Sequence, residues 1–244
     1  EITMVAVITD PETHGKVPVI DTKMIPGWVA LDAEIMKGMP PGITAATGMD
    51  ALTHAVESYL STASTPATET QAKAAIRLIF QYLARAWKNG DDMEARDAMA
   101  MASFYAGAAF GKTSVGYVHG IAHQLGRVCH TPHGNANAMV LPEVLAAYGA
   151  CTHQRLADLA ILVGLGSDGE NVAKLAGEFV QAITDMRAEL ELPLKPKELD
   201  AGEIPGIVGE ALAEAGSLYP VPRYLSEAEV SVIVRGLLPG TAAN

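Results

Sequence analysis

The sequence predicts a mainly α protein, a helical bundle preceded by a few short β-strands. Three observations predict it. Of its 244 residues, 49% are apolar but only 5% aromatic, a composition that favours helix-on-helix packing over a β-sandwich. Long runs such as ETQAKAAIRLIFQYLARAWK repeat apolar residues at spacings of three and four, the period of an amphipathic helix. Strand-like patterning is confined to residues 1–34. The apolar content suffices to bury a sizeable core.

The strands come first. Thr3 to Ile8 is a short β-branched apolar run closed by the turn signal Asp10-Pro11. Lys16 to Ile20 is a second strand. Pro18 cannot donate to a ladder, so this strand is expected at an edge or bonded on one side only. Trp28 to Leu31, after Pro26-Gly27, is expected as a third. Three short strands do not bury a stable sheet alone, so they are expected to complete a sheet formed with preceding chain. The chain opens at Glu1 without an initiator Met and runs almost at once into a strand, which reads as a piece of a longer protein. His14 lies in a turn and reads as a solvated histidine.

Residues 35–43 form a break, and Pro40-Pro41-Gly42 is the best domain boundary. Helices follow. The first is expected over Gly48 to Tyr59, capped by Thr44 or Thr47. Thr65-Pro66 starts the second, which ends at Asn89-Gly90. Asp91 or Asp92 opens a third, whose small residues suit a central buried helix. Val115 to Gly126 and His133 to Tyr148 are next, the latter with a kink or break at Pro142. His153 to Val163, Val172 to Leu190 and Ile207 to Gly216 follow. Ser226 caps the last helix, and the LPGTAAN tail reads as frayed.

Composition narrows the function. The net charge of −11, with acids spread along the chain, argues against a nucleic-acid surface. No apolar run reaches the length of a membrane span, and no basic segment precedes an apolar core at the start. Two cysteines without a CxxC spacing give no disulfide framework. A reducing cytoplasm is the expected compartment.

The chemistry concentrates in two places. Gly116 to Pro142, GYVHGIAHQLGRVCHTPHGNANAMVLP, carries His119, His123, His130 and His133, four of the seven histidines. Upstream, GMDALTHAVESY holds Asp50 and His54 at i, i+4, on one helical face. His119 and His123 repeat that spacing. Pro132 places His133 near the first turn of the next helix. A lone Asp-x3-His is usually a surface pair or a capped polar face, a lone His-x3-His on an apolar helix is a ligand pair more often than that though still in a minority of cases, and a buried His is costly unless partnered. Together, in a histidine-poor chain, they suggest one mixed N/O site for Fe2+ or Zn2+. A catalytic site keeps a position open. Of the five candidates Asp50, His54, His119, His123 and His133, one is therefore expected to stand off the metal and handle protons; spacing does not choose it.

In this order and spacing, GMDALTHAVESYLS, HGIAHQLG and TPHGNANAMVLP resemble the iron-containing (group III) alcohol dehydrogenase family. AVITDPETHGKVPVID and, more loosely, RYLSEAEV are similar too, so the resemblance covers nearly the whole chain. It implies an oxidoreductase that passes a hydride between a small alcohol or aldehyde and NAD or NADP. It implies Asp50, His54, His119 and His133 as metal ligands, His123 as a proton relay beside the nicotinamide, and Lys16 as a dinucleotide contact. It also implies a homo-oligomer, a dimer or larger. His14, His130, His153 and Cys129 match no functional position.

Family members begin with an α/β dinucleotide-binding domain carrying a GGGS-type pyrophosphate loop and a GTGSE-like segment, and neither occurs here. GLGSDG (residues 164–169) lies between helices with no strand before it, so it fails as a phosphate loop. Residues 1–40 are thus expected to be the last strands of a truncated dinucleotide-binding domain, and residues 41–244 an all-helical metal-binding catalytic domain. Alone, this chain is expected to bind metal with little turnover. Two rival readings stand beside this one. A metal-dependent hydrolase on a helical His/Asp scaffold is disfavoured by the absence of a His-Asp dipeptide. A non-catalytic metal-binding helical module is the other.

Overall fold

The computed structural model describes residues 2–9, 11–12 and 16–240. Val5–Thr9 (β1) and Lys16–Ile20 (β2) form an antiparallel ribbon in which Val5 pairs with Ile20 and Thr9 with Lys16. Pro18 faces Val7 in this ribbon. Each strand has one partner among the described residues, which suits a strand containing proline. The expected third strand does not form. Trp28 to Leu31 is irregular chain, and Trp28 is 96% exposed. Sequence propensity supplies an extended backbone there, but a strand also needs a neighbour to pair with. His14 and residues 241–244 of the expected frayed tail lie outside the described residues.

Ten helices follow. A single turn, Ala33–Met36 (α1), is capped by Asp32. Next come Pro41–Leu60 (α2), Pro66–Lys88 (α3), Met93–Thr113 (α4), Tyr117–Cys129 (α5) and His133–Tyr148 (α6). His153–Leu162 (α7), Val172–Glu189 (α8), Ile204–Leu218 (α9) and Glu227–Gly236 (α10) complete them. The sequence signals hold at most boundaries. Thr65 caps α3 in a reciprocal capping box with Thr68, Asp92 caps α4, and Ser226 caps α10 through Glu229.

The start of α2 corrects the expectation of a helix beginning at Gly48. Pro41 occupies the first helical position, where a missing N–H costs nothing and φ is already helical. The Pro-Pro-Gly run therefore begins the helix instead of merely ending what precedes it. Thr44 and Thr47 lie inside α2 and do not cap it. Arg96 of α4, 1% exposed, fixes this entry: it donates to Thr44 Oγ1 at 2.7 Å, to the Met39 carbonyl at 3.1 Å and to the Gly90 carbonyl at 3.1 Å.

Of the kink or break expected at Pro142, the break does not occur: α6 runs through the proline. Proline in a helix interior leaves the carbonyl four residues earlier without its donor, here that of Ala138. Buried Arg187 of α8 takes the place of that donor. Its Nη1 donates to the Ala138 and Met139 carbonyls, each at 3.4 Å. Burial lowers the Arg187 pKa somewhat, opposed by the charge of Glu143.

α2 is the central helix. It packs on α3, α4 and α6, while α5 packs on α6 and α9. Met49, Leu52, Ala55 and Val56 of α2 are fully buried. Thus α2 carries Asp50 and His54, α5 carries His119 and His123, and α6 opens at His133. Three helices that share one core hold the candidate side chains at fixed spacing.

Candidate metal centre

The five candidates come together. Asp50, His54 and His119 each offer a ligand atom within 4.8 Å of the others. Asp50 Oδ1 lies 3.4 Å from His133 Nε2 and 3.6 Å from His119 Nε2, and Asp50 Oδ2 lies 3.8 Å from His54 Nδ1. The rings stack. His54 lies between Phe110 and His119, at centroid distances of 4.0 and 4.4 Å. His123 stacks on His133 at 5.4 Å. His119 is buried, whereas His123 and His133 are about one-third exposed. The cluster therefore opens towards solvent on the side of His123 and His133.

Local structure explains each position. Gly116 starts α5 without a side-chain cap of its own. Glu57 of α2 acts instead: its Oε1 accepts the Val118 N–H at 2.8 Å, and its Oε2 accepts Nδ1–H of His119 at 2.6 Å. One buried carboxylate thus caps the helix, complements its dipole and leaves Nε2 of His119 turned to Asp50. A Cβ on Gly116 would stand 2.7 Å from Glu57 Oε1, so a side chain there would push this carboxylate out of its place. At the first turn of α6, a Cβ on Gly134 would overlap the Ala46 backbone of α2. Glycine lets α6 come close enough for His133 to reach Asp50.

The electrostatics follow from burial and charge. For Asp50, burial raises the pKa, but the neighbouring imidazoles outweigh it and hold the group well below the usual carboxylate range. Burial dominates at His54 and, with three other rings nearby, lowers it to about 3 despite Asp50. At His119 burial is opposed and overcome by Glu57 and Asp50, which raise the ring to about 9. The cluster thus holds an ionised carboxylate beside a neutral imidazole, with a strong attraction for positive charge at His119.

Fully buried Asn137 tests whether these residues fit a cation. Its amide nitrogen lies 2.6 Å from Asp50 Oδ1, 3.2 Å from His133 Nε2 and 3.3 Å from His119 Nε2. With both rings neutral, as metal ligands must be, an amide has two hydrogens for these three acceptors. Its own Oδ1 is buried without a hydrogen-bond partner. One carboxylate oxygen and two ring nitrogens therefore converge on a point that a neutral donor serves incompletely, with His54 alongside. This mixed N/O donor set suits Fe2+ or Zn2+.

Lys16 is not brought into this arrangement by anything described: its backbone opens β2, and its side chain falls outside those described. His130 ends α5 in the left-handed conformation, with φ 51°, and is a cap. Cys129 is buried in the core. Sequence reasoning missed Glu57, Asn137 and Glu214, whose carboxylate lies 2.7 Å from His123 Nδ1. Two of these had a signal: Glu57 follows His54 at i+3 and Asn137 follows His133 at i+4, so each shares a helical face with a candidate. Glu214 is brought to His123 only by the packing of α9 on α5.

This fold and cluster define a helical scaffold that gathers one carboxylate and four imidazoles where α2, α5 and α6 meet. The model of the C-terminal part of the Fe-containing alcohol dehydrogenase family matches residues 44–238, and the chain belongs to that family. It is 38% identical to 1,3-propanediol dehydrogenase of Klebsiella pneumoniae over 96% of this chain and 61% of that protein. It is 40% identical to NAD-dependent methanol dehydrogenase of Bacillus methanolicus, over 83% of this chain and 53% of that protein. The crystal structure of a 1,3-propanediol oxidoreductase superposes with a TM-score of 0.91 at 36% identity, covering 97% of this chain and 62% of that one. The chain thus spans about three-fifths of the length of 1,3-propanediol dehydrogenase. Among the described residues, no helix is long and apolar enough to cross a membrane.

Proposed function

We propose that the chain is the metal-binding part of an alcohol dehydrogenase that passes a hydride between a small alcohol or aldehyde and NAD or NADP. The observation that carries this reading is the convergence of Asp50, His119 and His133 on one point beside His54, in a member of this family. Asp50, His54, His119 and His133 would hold the ion, Fe2+ or Zn2+. When bound, the ion supplies Lewis acidity that eases loss of the alcohol proton, and the nicotinamide supplies the redox chemistry.

The chain's own residues then do the following. Asp50 and the three imidazoles would hold the ion, and Phe110 packs on the His54 ring and keeps it in place. The open side, where His123 and His133 reach solvent, admits the substrate. His123 handles the alcohol proton. Residues 41–244 form the metal-binding catalytic domain. Residues 1–40 belong to a dinucleotide-binding domain, where Lys16 contacts the cofactor. The whole enzyme is a cytoplasmic homo-oligomer.

The test uses the longer protein that contains this chain, loaded with Fe2+ or Zn2+. Alcohol-dependent reduction of NAD or NADP that disappears with Asp50→Ala supports the reading. Phosphodiester hydrolysis without nicotinamide, or a bound ion that supports no hydride transfer, overturns it.

A further inference from the structure

His123 lies one turn beyond His119 on α5, and Glu214 of α9 reaches it. Glu214 Oε1 is 2.7 Å from His123 Nδ1, and the Tyr219 hydroxyl donates to the same oxygen. Gln124 Nε2 donates to Glu214 Oε2 at 3.3 Å, and Gln124 Oε1 in turn accepts from Arg127 Nε at 3.0 Å. Close packing sets this contact. α5 packs on α9 beside the pair, and a Cβ on Gly120 would lie in ordinary contact with the Ala211 carbonyl, at 3.4 Å, and the Tyr219 ring, at 3.8 Å.

The charges are consistent with the geometry. Burial pushes the Glu214 carboxyl up, but bonds from His123, Tyr219 and Gln124 prevail and hold it below its ordinary value. Burial and the Glu214 charge push the Tyr219 phenol far above its ordinary value, so Tyr219 keeps its proton and remains a donor. An ionised carboxylate only accepts, so the shared hydrogen at Nδ1 belongs to His123.

Resting on the reading of His123 as the proton handler, we propose that Glu214 is its positioning residue. Held by Tyr219 and Gln124, it takes the Nδ1–H bond and fixes the tautomer that leaves Nε2 as the ring's proton acceptor. The proton then has one route. It passes from the alcohol O–H to Nε2, Glu214 stabilises the imidazolium that results, and the one-third-exposed ring returns the proton to water. Glu214 itself gains no proton over the cycle. A carboxylate that orients a histidine acts through tautomer and orientation.

The test is a long-range proton–nitrogen correlation spectrum of the zinc-loaded chain with nitrogen-15 in its histidine rings. Such spectra distinguish the two neutral tautomers, and His123→Gln identifies the His123 signal by its loss. The expected wild-type pattern is Nδ1–H at His123. Glu214→Gln, whose amide can donate, shifts this ring to Nε2–H or a mixture, and charge-retaining Glu214→Asp restores Nδ1–H. Zinc stays at one ion per chain throughout. Nε2–H in the wild type overturns the proposal whether or not the variants fold, as does an unchanged tautomer in folded Glu214→Gln. Failure of the underlying reading looks different: the tautomer shifts as expected, but His123→Gln leaves the pH profile of kcat unchanged in the longer enzyme, which also overturns the proton route.

Discussion

Glu57 Oε2 accepts the Nδ1–H of His119 at 2.6 Å, with both side chains buried, while Oε1 accepts the Val118 N–H at 2.8 Å. One side chain of α2 therefore both starts α5 and orients His119, a proposed metal ligand. Carboxylates that hold the far nitrogen of a ligating histidine typically contribute about 10–100-fold in metal affinity. Glu57→Gln is expected to weaken binding of Zn2+ to the chain by about that factor, measured by competition with a chromophoric chelator. Glu57→Leu, which removes both acceptors, is expected to lower thermal stability as well.

Gly134 tests the approach of α6 to α2. A methyl group there overlaps the Ala46 backbone, which cannot move aside as a side chain tip would. Overpacking of this kind costs about 1–3 kcal/mol. Gly134→Ala should lower the melting temperature and also weaken metal retention, because the displaced turn carries His133. Full metal content in a folded Gly134→Ala chain would count against that coupling.

Arg187 and Pro142 should behave as a pair. Removing a donor from a buried carbonyl costs about 1–3 kcal/mol, the range expected for Arg187→Leu. In a Pro142→Ala background, the new N–H serves the Ala138 carbonyl, so Arg187→Leu should cost less. Urea unfolding of both single variants and the double variant gives the coupling, expected to exceed about 0.5 kcal/mol. Strict additivity would show that Arg187 does not compensate for the proline.

The α10 cap predicts an acid effect. Arg223 and the Ser226 backbone and hydroxyl bonds lower Glu229 from 4.5 to about 2. A depressed carboxylate contributes stability above its unfolded pKa and loses it as the pH falls through the folded one. Melting temperature followed from pH 5 to pH 2 should therefore fall less steeply in Glu229→Gln than in the wild type, and the difference should shrink in high salt, as expected for an exposed group.

Much of this fold was legible because helix signals are local. Caps at Thr65, Asp92 and Ser226 and the 3.6-residue period need no tertiary knowledge, and the helices they delimit formed where expected. The misses share a cause. Trp28 to Leu31 needed a pairing partner, the N-terminus of α2 depended on Arg96 arriving from α4, and the passage through Pro142 depended on Arg187 arriving from α8. The convergence of Asp50, His54, His119 and His133 could be anticipated from two i, i+4 pairs and a proline before His133, helped by the family resemblance. The carboxylates that aim the histidines were harder to read. Glu57 shares the face of His54, but Glu214 is separated from His123 by 91 positions, and only folding brings them together.

In the reading proposed above, Asp50, His54, His119 and His133 hold one divalent ion. Elemental analysis with X-ray absorption on the Zn2+-loaded chain tests it most directly. The expected result is one ion per chain in a shell of three imidazole nitrogens and one carboxylate oxygen, lost in His119→Ala and kept in His123→Ala. A full complement of metal in His119→Ala, or a shell without imidazole, would contradict it.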